Sequence, residues 1–208
     1  TGLDRSDAAR ELIEKSGIPC VHMMELAQSP DVNSVGFSQT QAAMTLTEHL
    51  LQRGRQRIAF AAAQLDPRTM QRLDGWRKTL KAAKLYDKAL SYTNKSPSSM
   101  ALGGEMLQHI MAQDPSIDAI FFCNDDLAQG ALLAAQRLKI KVPQQLAIAG
   151  FNDLTGSDLV GPGLTTIRTP RAAIGEAAAK MLLNLMREED VPTPSVDVGY
   201  ELMVRGST

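Results

Sequence analysis

A strand–helix–strand unit at residues 119–153 limits most strongly how this chain can fold. Two short apolar runs, Ala119–Cys123 and Leu146–Gly150, flank Asp125–Leu138, where apolar residues recur at the spacing of one helix face. A helical crossover of this kind makes its two strands parallel, so both strands end at the same edge of one sheet. The sequence therefore predicts an α/β fold with parallel strands.

Each of these two strands is followed by an Asn-Asp pair, Asn124-Asp125 and Asn152-Asp153. Ligands of open α/β sheets bind outside the carboxyl ends of the strands, and an amide can both donate to and accept from a hydroxyl group. Helix capping by Asp125 and a turn at Asn152-Asp153 are the alternative explanation. We expect at least one of the two asparagines to face a ligand.

Helices and strands alternate along the rest of the chain, as they do in α/β proteins. The middle, from about residue 38 to residue 168, supplies four or five strands, whereas the outer parts supply two helices and up to two strands. Helices are predicted at Asp4–Ser16, Gln39–Arg53, Met70–Ala83, Ser98–Gln113 and Pro170–Met186, strands at Ile18–Met24, Arg57–Ala63, Leu90–Thr93 and Leu164–Thr166, and a final extended segment at Val196–Val204.

The composition is that of an ordinary soluble protein. A net charge of −1 gives no overall electrostatic footprint for nucleic acid. No apolar run approaches the roughly 20 residues that cross a membrane. Cys20 and Cys123 lie in apolar runs, and we expect free thiols in a reduced compartment. Since the chain begins at Thr1 without a methionine, we expect it to be a fragment.

A second polar cluster, Asp66, Arg68, Thr69 and Arg72, lies at the predicted start of a helix that follows the strand Arg57–Ala63. Free backbone N–H groups and the positive end of the helix dipole favour anions there. Two arginines four residues apart share a helical face and could bind a carboxylate or a pair of hydroxyls. A solvated charged face is the alternative.

Nothing in the sequence indicates catalysis. The three histidines, His22, His49 and His109, have neither catalytic nor metal-ligand spacing. The sequence has no nucleophile elbow, zinc-protease motif, Walker loop or dinucleotide-binding loop. We expect no enzyme activity, no cofactor and no metal site.

An ordered series of motifs covers most of the chain. It consists of VGFSQTQAA at 35–43, GRQRIAF at 54–60, RLDGW at 72–76, DAIFFCNDDLAQGA at 118–131, VPQQLAIAGFND at 142–153 and LTTIR at 164–168. The series resembles the effector-binding region of the lactose/galactose-repressor (LacI/GalR) family of bacterial transcription regulators. Two stretches, AAQLDPRT at 62–69 and AIAGF at 147–151, look most like those of gluconate-operon repressors.

The resemblance implies a type I periplasmic-binding-protein-like fold of two lobes, each a parallel sheet flanked by helices. An incomplete N-terminal lobe would comprise residues 1–37 and 169–195, and the C-terminal lobe residues 38–168 and 196–208. The resemblance also implies that a helix-turn-helix DNA reader and the first strands of the N-terminal lobe precede Thr1.

The resemblance also assigns site residues. Arg72 matches the arginine that clasps the effector in relatives, and Asn124 matches the first residue of a pair that binds sugar hydroxyls. Asn152 stands where many relatives have an aspartate. Because a carboxylate would repel an anion and an amide would not, we expect a sugar acid such as gluconate. Further expected contacts are Arg68, Thr69, Asp153 and Thr169, with Glu25 as another candidate.

The function implied is that of the inducer-sensing domain of a cytoplasmic transcriptional repressor. A sugar or sugar acid would bind between the lobes and change how a homodimer presents its DNA readers to the operator. A periplasmic sugar-binding protein of a transport system shares the fold and is the alternative. A small α/β enzyme acting on sugar acids is the third reading.

Overall fold

The computed structural model describes residues 6–27, 29 and 31–208; Asp4 and Arg5 of the first predicted helix, and Gln28 and Pro30 of a predicted loop, lie outside them. The helices are α1 Asp7–Ser16, α2 Gln39–Gln52, α3 Pro67–Ala82, α4 Met100–Gln113, α5 Asp125–Arg137 and α6 Arg171–Met186. The strands are β1 His22–Met23, β2 Ser34–Gly36, β3 Ile58–Ala62, β4 Ser91–Thr93, β5 Ala119–Phe122, β6 Ala147–Asn152, β7 Thr165–Arg168, β8 Ser195–Asp197 and β9 Glu201–Met203.

The chain divides into two compact units. The smaller comprises Thr1–Ser38 and Pro170–Tyr200, and contains a parallel sheet in the order β1-β2-β8 against which α6 packs. The larger comprises Gln39–Thr169 and Glu201–Thr208, and contains a sheet in the order β4-β3-β5-β6-β7-β9. The predicted α/β class, with parallel sheets flanked by helices, is confirmed.

The strand order of the larger sheet reverses next to β3. The chain passes from β3 to β4 on one side and then returns past β3 to β5, β6 and β7, all of them parallel. Because such crossovers are right-handed, α3 lies on one face of the sheet and α4 and α5 lie on the other. The carboxyl ends of β3 and β5 therefore diverge at a switch point, where α/β sheets form ligand crevices.

Aromatic side chains fill the core of the larger unit. Phe60 on β3 meets Phe121 on β5 edge-to-face at 5.1 Å between ring centroids, and Phe121 stacks with Phe151 on β6 at 6.5 Å. The indole of Trp76 packs against Phe60 and donates its N–H to the carbonyl of Ile58. These contacts hold the three strands and α3 together.

No helix among the described residues is long and apolar enough to cross a bilayer.

Glycines allow the helices beside the sheet to approach each other closely. A Cβ at Gly103 of α4 would overlap the carbonyl oxygen of Leu127 on α5, and a Cβ at Gly130 of α5 would overlap the carbonyl oxygen of Met100 on α4. On the other face, Gly75 of α3 lies against the carbonyl oxygen of Thr40 on α2. The two helices of each pair are thus in direct backbone contact, and any residue larger than glycine at these positions would push them apart.

Two sequence-based expectations about the strands are wrong. Of the predicted strand Ile18–Met24, only His22 and Met23 form a strand, because only these two residues pair with β2. Ile18 is 70% exposed and so is not part of the core. The predicted extended segment Val196–Val204 is two strands, separated by a turn in which Gly199 has a φ of +70°.

The domain boundaries shift accordingly. β8 pairs parallel with β2 in the small sheet, and β9 pairs antiparallel with β7 in the large one. Val196 and Asp197 therefore belong to the smaller unit rather than to the predicted C-terminal lobe of 196–208. Thr169, predicted with the N-terminal lobe, lies in the larger unit.

The contact between α4 and α5 predicts an effect on stability. We expect Gly130→Ala to lower the free energy of unfolding by about 1–3 kcal/mol, because the added methyl group overlaps the Met100 carbonyl oxygen. Gly175→Ala is the matched control: this exposed glycine of α6 has nothing within 4 Å of an added Cβ, and the change should stabilise by up to about 1 kcal/mol. Equal urea midpoints for Gly130→Ala and wild type would contradict the tight contact.

A buried histidine predicts a dependence of stability on pH. His49 Nε2 lies 2.8 Å from the hydroxyl of Thr208, and burial, followed by the charge of Arg53, lowers the pKa of His49 below its ordinary 6.5. The folded state then binds fewer protons than the unfolded state. The contribution of neutral His49 to the free energy of unfolding is therefore complete above pH 6.5 and is lost as the pH falls below that value. Urea midpoints between about pH 8 and pH 5 should fall less steeply in His49→Gln than in wild type or in the exposed-site control His109→Gln.

Candidate functional site

A polar cavity of about 200 Å³ lies at the carboxyl ends of β3, β5 and β6. Its walls come from the segment joining β3 to α3 and the first turns of α3, from the start of α5, and from the end of β6. It therefore occupies the switch point of the sheet. The lining residues are Ala63, Gln64, Asp66, Arg68, Thr69, Arg72, Asn124 and Asn152.

The guanidinium of Arg72 is held from three sides. Its Nε donates to Oε1 of Gln39 at 2.9 Å, its Nη1 donates to the carbonyl oxygen of Cys123 at 2.6 Å, and its carbon lies 3.8 Å from the centre of the Phe151 ring. Nη2 donates to none of the described residues. These contacts fix the plane of the group and leave its outer nitrogen available at the cavity.

None of these contacts neutralises the charge of Arg72. No carboxylate of the described residues lies within ion-pair distance of it, although its side chain is buried. Burial lowers the pKa of Arg72 to about 10, which still leaves the group cationic at neutral pH. The cavity thus contains a buried cation whose protein partners are an amide, a carbonyl and an aromatic face.

Arg68 and Thr69 also line the cavity and belong to the first turn of α3. Asp66 caps the helix by accepting the backbone N–H of Thr69 at 2.8 Å, and Pro67 occupies the first helical position, three residues before the predicted start at Met70. The other carboxylate oxygen of Asp66 lies 3.7 Å from Arg68, whose side chain is 38% exposed. Arg68 therefore lies at the rim with a partner, whereas Arg72 lies inside.

Asn124, rather than the alternative candidate Asp125, caps α5. Its backbone is extended, and its Oδ1 accepts from the N–H of Leu127 at 3.1 Å and from the hydroxyl of Ser98 at 3.0 Å. Its Nδ2 makes no hydrogen bond to the part of the chain that the structure describes. The amide oxygen of Asn124 thus caps the helix, and its nitrogen remains as a donor in the cavity wall.

Asp125 is buried beneath the cavity wall and links three elements. Its carboxylate accepts from the N–H of Leu154 at 2.7 Å, from Ser157 at 3.0 Å and from Thr166 at 2.7 Å. Burial raises the pKa of Asp125, while these donors favour the ionised form. A side chain at Gly150 would collide with this carboxylate, so β6 needs glycine there. Asp125 is a structural residue.

Asn152 and Asp153 have different surroundings. Asn152 lines the cavity with a φ of +118°, and Thr169 contacts it by donating its N–H to the Asn152 carbonyl and its hydroxyl to Oδ1, both at 3.4 Å. Asp153 accepts from Arg168 at 2.7 Å and from Arg205 at 2.8 Å. Burial alone would raise the pKa of Asp153, but the two guanidinium groups lower it.

The structure therefore brings together five of the eight candidate site residues, Arg72, Asn124, Asn152, Arg68 and Thr69. Asp153 and Thr169 do not line the cavity, and Glu25 belongs to the smaller unit. Gln39 was missed, because it precedes Arg72 by 33 residues and no local spacing connects them. Among the described residues, no group of His, Cys, Asp and Glu is arranged to hold a metal ion.

Comparison with known proteins agrees with this architecture. Residues 47–208 match the periplasmic binding protein-like domain. The HTH-type transcriptional regulator GntR of Pseudomonas aeruginosa is 52% identical over all of this chain, which spans about three-fifths (61%) of that relative's length.

Two solved structures have the same fold. The transcription regulator GntR from Chromobacterium violaceum superposes with a TM-score of 0.96 at 47% identity, covering 99% of this chain and 76% of that one. A LacI family transcriptional regulator from Silicibacter pomeroyi gives a TM-score of 0.88 at 26% identity, covering 98% and 74%. The chain thus belongs to the LacI/GalR family of transcription regulators and carries the periplasmic binding protein-like domain of that family.

Proposed function

We propose that this chain is the ligand-sensing region of a transcriptional repressor and that its cavity binds a sugar acid such as gluconate. The observation that carries the proposal is the buried guanidinium of Arg72, which faces the cavity without a carboxylate partner. A buried charge is costly unless it is paired, and an anionic ligand would supply the missing partner. A carboxylate oxygen would also form a charge-assisted hydrogen bond with Nη2, the guanidinium nitrogen that no described residue accepts from.

The remaining polar groups of the wall suit hydroxyls. The Nδ2 of Asn124 is a donor without a hydrogen-bond partner among the described residues, and the amide of Asn152 and the hydroxyl of Thr69 stand near it in the same wall. Amides and hydroxyls can donate or accept as each sugar hydroxyl requires. A carboxylic acid with several hydroxyls therefore matches the cavity better than a neutral sugar or an inorganic anion.

Binding would act on transcription by shifting a conformational equilibrium of the whole protein. The region outside this chain would supply the DNA reader, and we propose a cytoplasmic homodimer as the working form. The relatives reported above are named transcription regulators rather than transport proteins or enzymes, which favours the regulatory reading over a periplasmic sugar-binding protein.

Ligand charge gives the direct test. Calorimetric titration should show gluconate binding more tightly than glucose, and Arg72→Gln should weaken gluconate binding by at least about thirtyfold, because a buried charge pair is lost. Arg68→Gln, at the half-exposed rim beside Asp66, should weaken it only severalfold. Thermal unfolding of both variants checks their fold. Glucose binding as tight as gluconate binding would refute the proposed ligand class.

The neutral amide of Asn152 gives an independent test. Asn152→Asp places a carboxylate in the wall that Arg72 also lines, so we expect the affinity for gluconate to fall about tenfold or more. The affinity for glucose should stay the same or rise, since a carboxylate accepts strongly from hydroxyl groups. The ratio of the two dissociation constants is the measurement, and an unchanged ratio would contradict the role of Asn152.

A further inference from the structure

We infer that Gln39 determines the charge specificity of the cavity: it orients Arg72 through a neutral acceptor and so leaves the positive charge of Arg72 to an anionic ligand. The inference rests on the proposed function, because it concerns the same cavity and the same class of ligand. Gln39 does not line the cavity, so it acts through Arg72 as a positioning residue.

The position of Gln39 suits this role. It is the first residue of α2 and only 1% exposed, and its Oε1 meets Nε of Arg72 at 2.9 Å. The single N–H of Nε donates to Gln39 and Nη1 donates to the Cys123 carbonyl, whereas Nη2 donates to none of the described residues. An acceptor at Nε therefore fixes the rotation of the group without covering the nitrogen that a ligand would reach.

The backbone around Gln39 is held rigidly in place. The next residue, Thr40, presents its carbonyl oxygen to the Cα of Gly75 on α3, and its hydroxyl donates to the carbonyl of Gln71 at 3.3 Å. Both contacts join the start of α2 to the helix that carries Arg72. The distance between Gln39 and Arg72 is thus set by helix packing, independently of any ligand.

The charge of the acceptor then decides which class of ligand Arg72 can bind. Glutamate has nearly the same size and would accept the same hydrogen bond, but it would also form a buried ion pair with Arg72. The pair would be neutral as a whole, and an incoming carboxylate would meet repulsion from the glutamate. An amide keeps the geometry and leaves the net positive charge in place.

Three variants test the inference by calorimetric titration with gluconate and with glucose. Gln39→Glu should lower the ratio of gluconate to glucose affinity at least about tenfold, because the charge of Arg72 is neutralised. Gln39→Met removes the acceptor without adding charge, so it should weaken gluconate binding while gluconate stays preferred. Gln41→Glu adds the same charge at an exposed position of the same helix turn and should keep the wild-type ratio.

The outcomes separate this inference from the proposed function. If wild type shows no preference for gluconate, the proposed ligand class is wrong and the inference fails with it. If wild type prefers gluconate and Gln39→Glu keeps the same preference as Gln41→Glu, only the role of Gln39 is refuted. A lower ratio in Gln39→Met equal to that in Gln39→Glu would also refute it, because orientation rather than charge would then be decisive. Thermal unfolding confirms that each variant is folded.

Discussion

The buried guanidinium of Arg72 joins the elements around the cavity and supplies it with a positive charge. Its three contacts, with Gln39, Cys123 and Phe151, tie the start of α2 and the ends of β5 and β6 to α3. All three partners are neutral, so they orient the cation and compensate only part of the cost of removing it from water. The protein keeps a charge in its interior that a ligand, rather than a side chain, is suited to balance.

A division of roles within the pair Asn124-Asp125 supports this arrangement. The carboxylate of Asp125 faces inward and joins the loop after β6 to β7, whereas the amide of Asn124 caps α5 and turns its nitrogen to the cavity. Asp125 is occupied by its own donors and Asp153 is paired with Arg168 and Arg205, and neither residue lines the cavity. Two of the three charged side chains in the lining are arginines and the third is a carboxylate, so the wall keeps a net positive charge.

Helix packing gives the wall its fixed dimensions. Backbone contacts at Gly103 and Gly130 lock α4 against α5, and the contact at Gly75 locks α3 against α2. The caps of α3 and α5, Asp66 and Asn124, are thus both held by helices that cannot slide. A cavity built on such elements has its donors in place without a ligand, which would reduce the entropy lost on the proposed binding.

The sequence by itself determined the α/β class, the alternation of helices and strands in the larger unit and the meeting of Asn124 and Asn152 at one sheet edge, whereas Arg72 was assigned to the site by the family resemblance. Strand–helix alternation and the right-handed crossover are local rules, so they could be read from residues close together in the chain. Only the tertiary structure decided that Asn124 rather than Asp125 is the cap, that Asp153 is paired with arginines, and that Gln39 holds Arg72. It also decided that β8 and β9 join different sheets. These features depend on partners far away in the sequence, and the choice among such partners is made by packing, which no local pattern encodes.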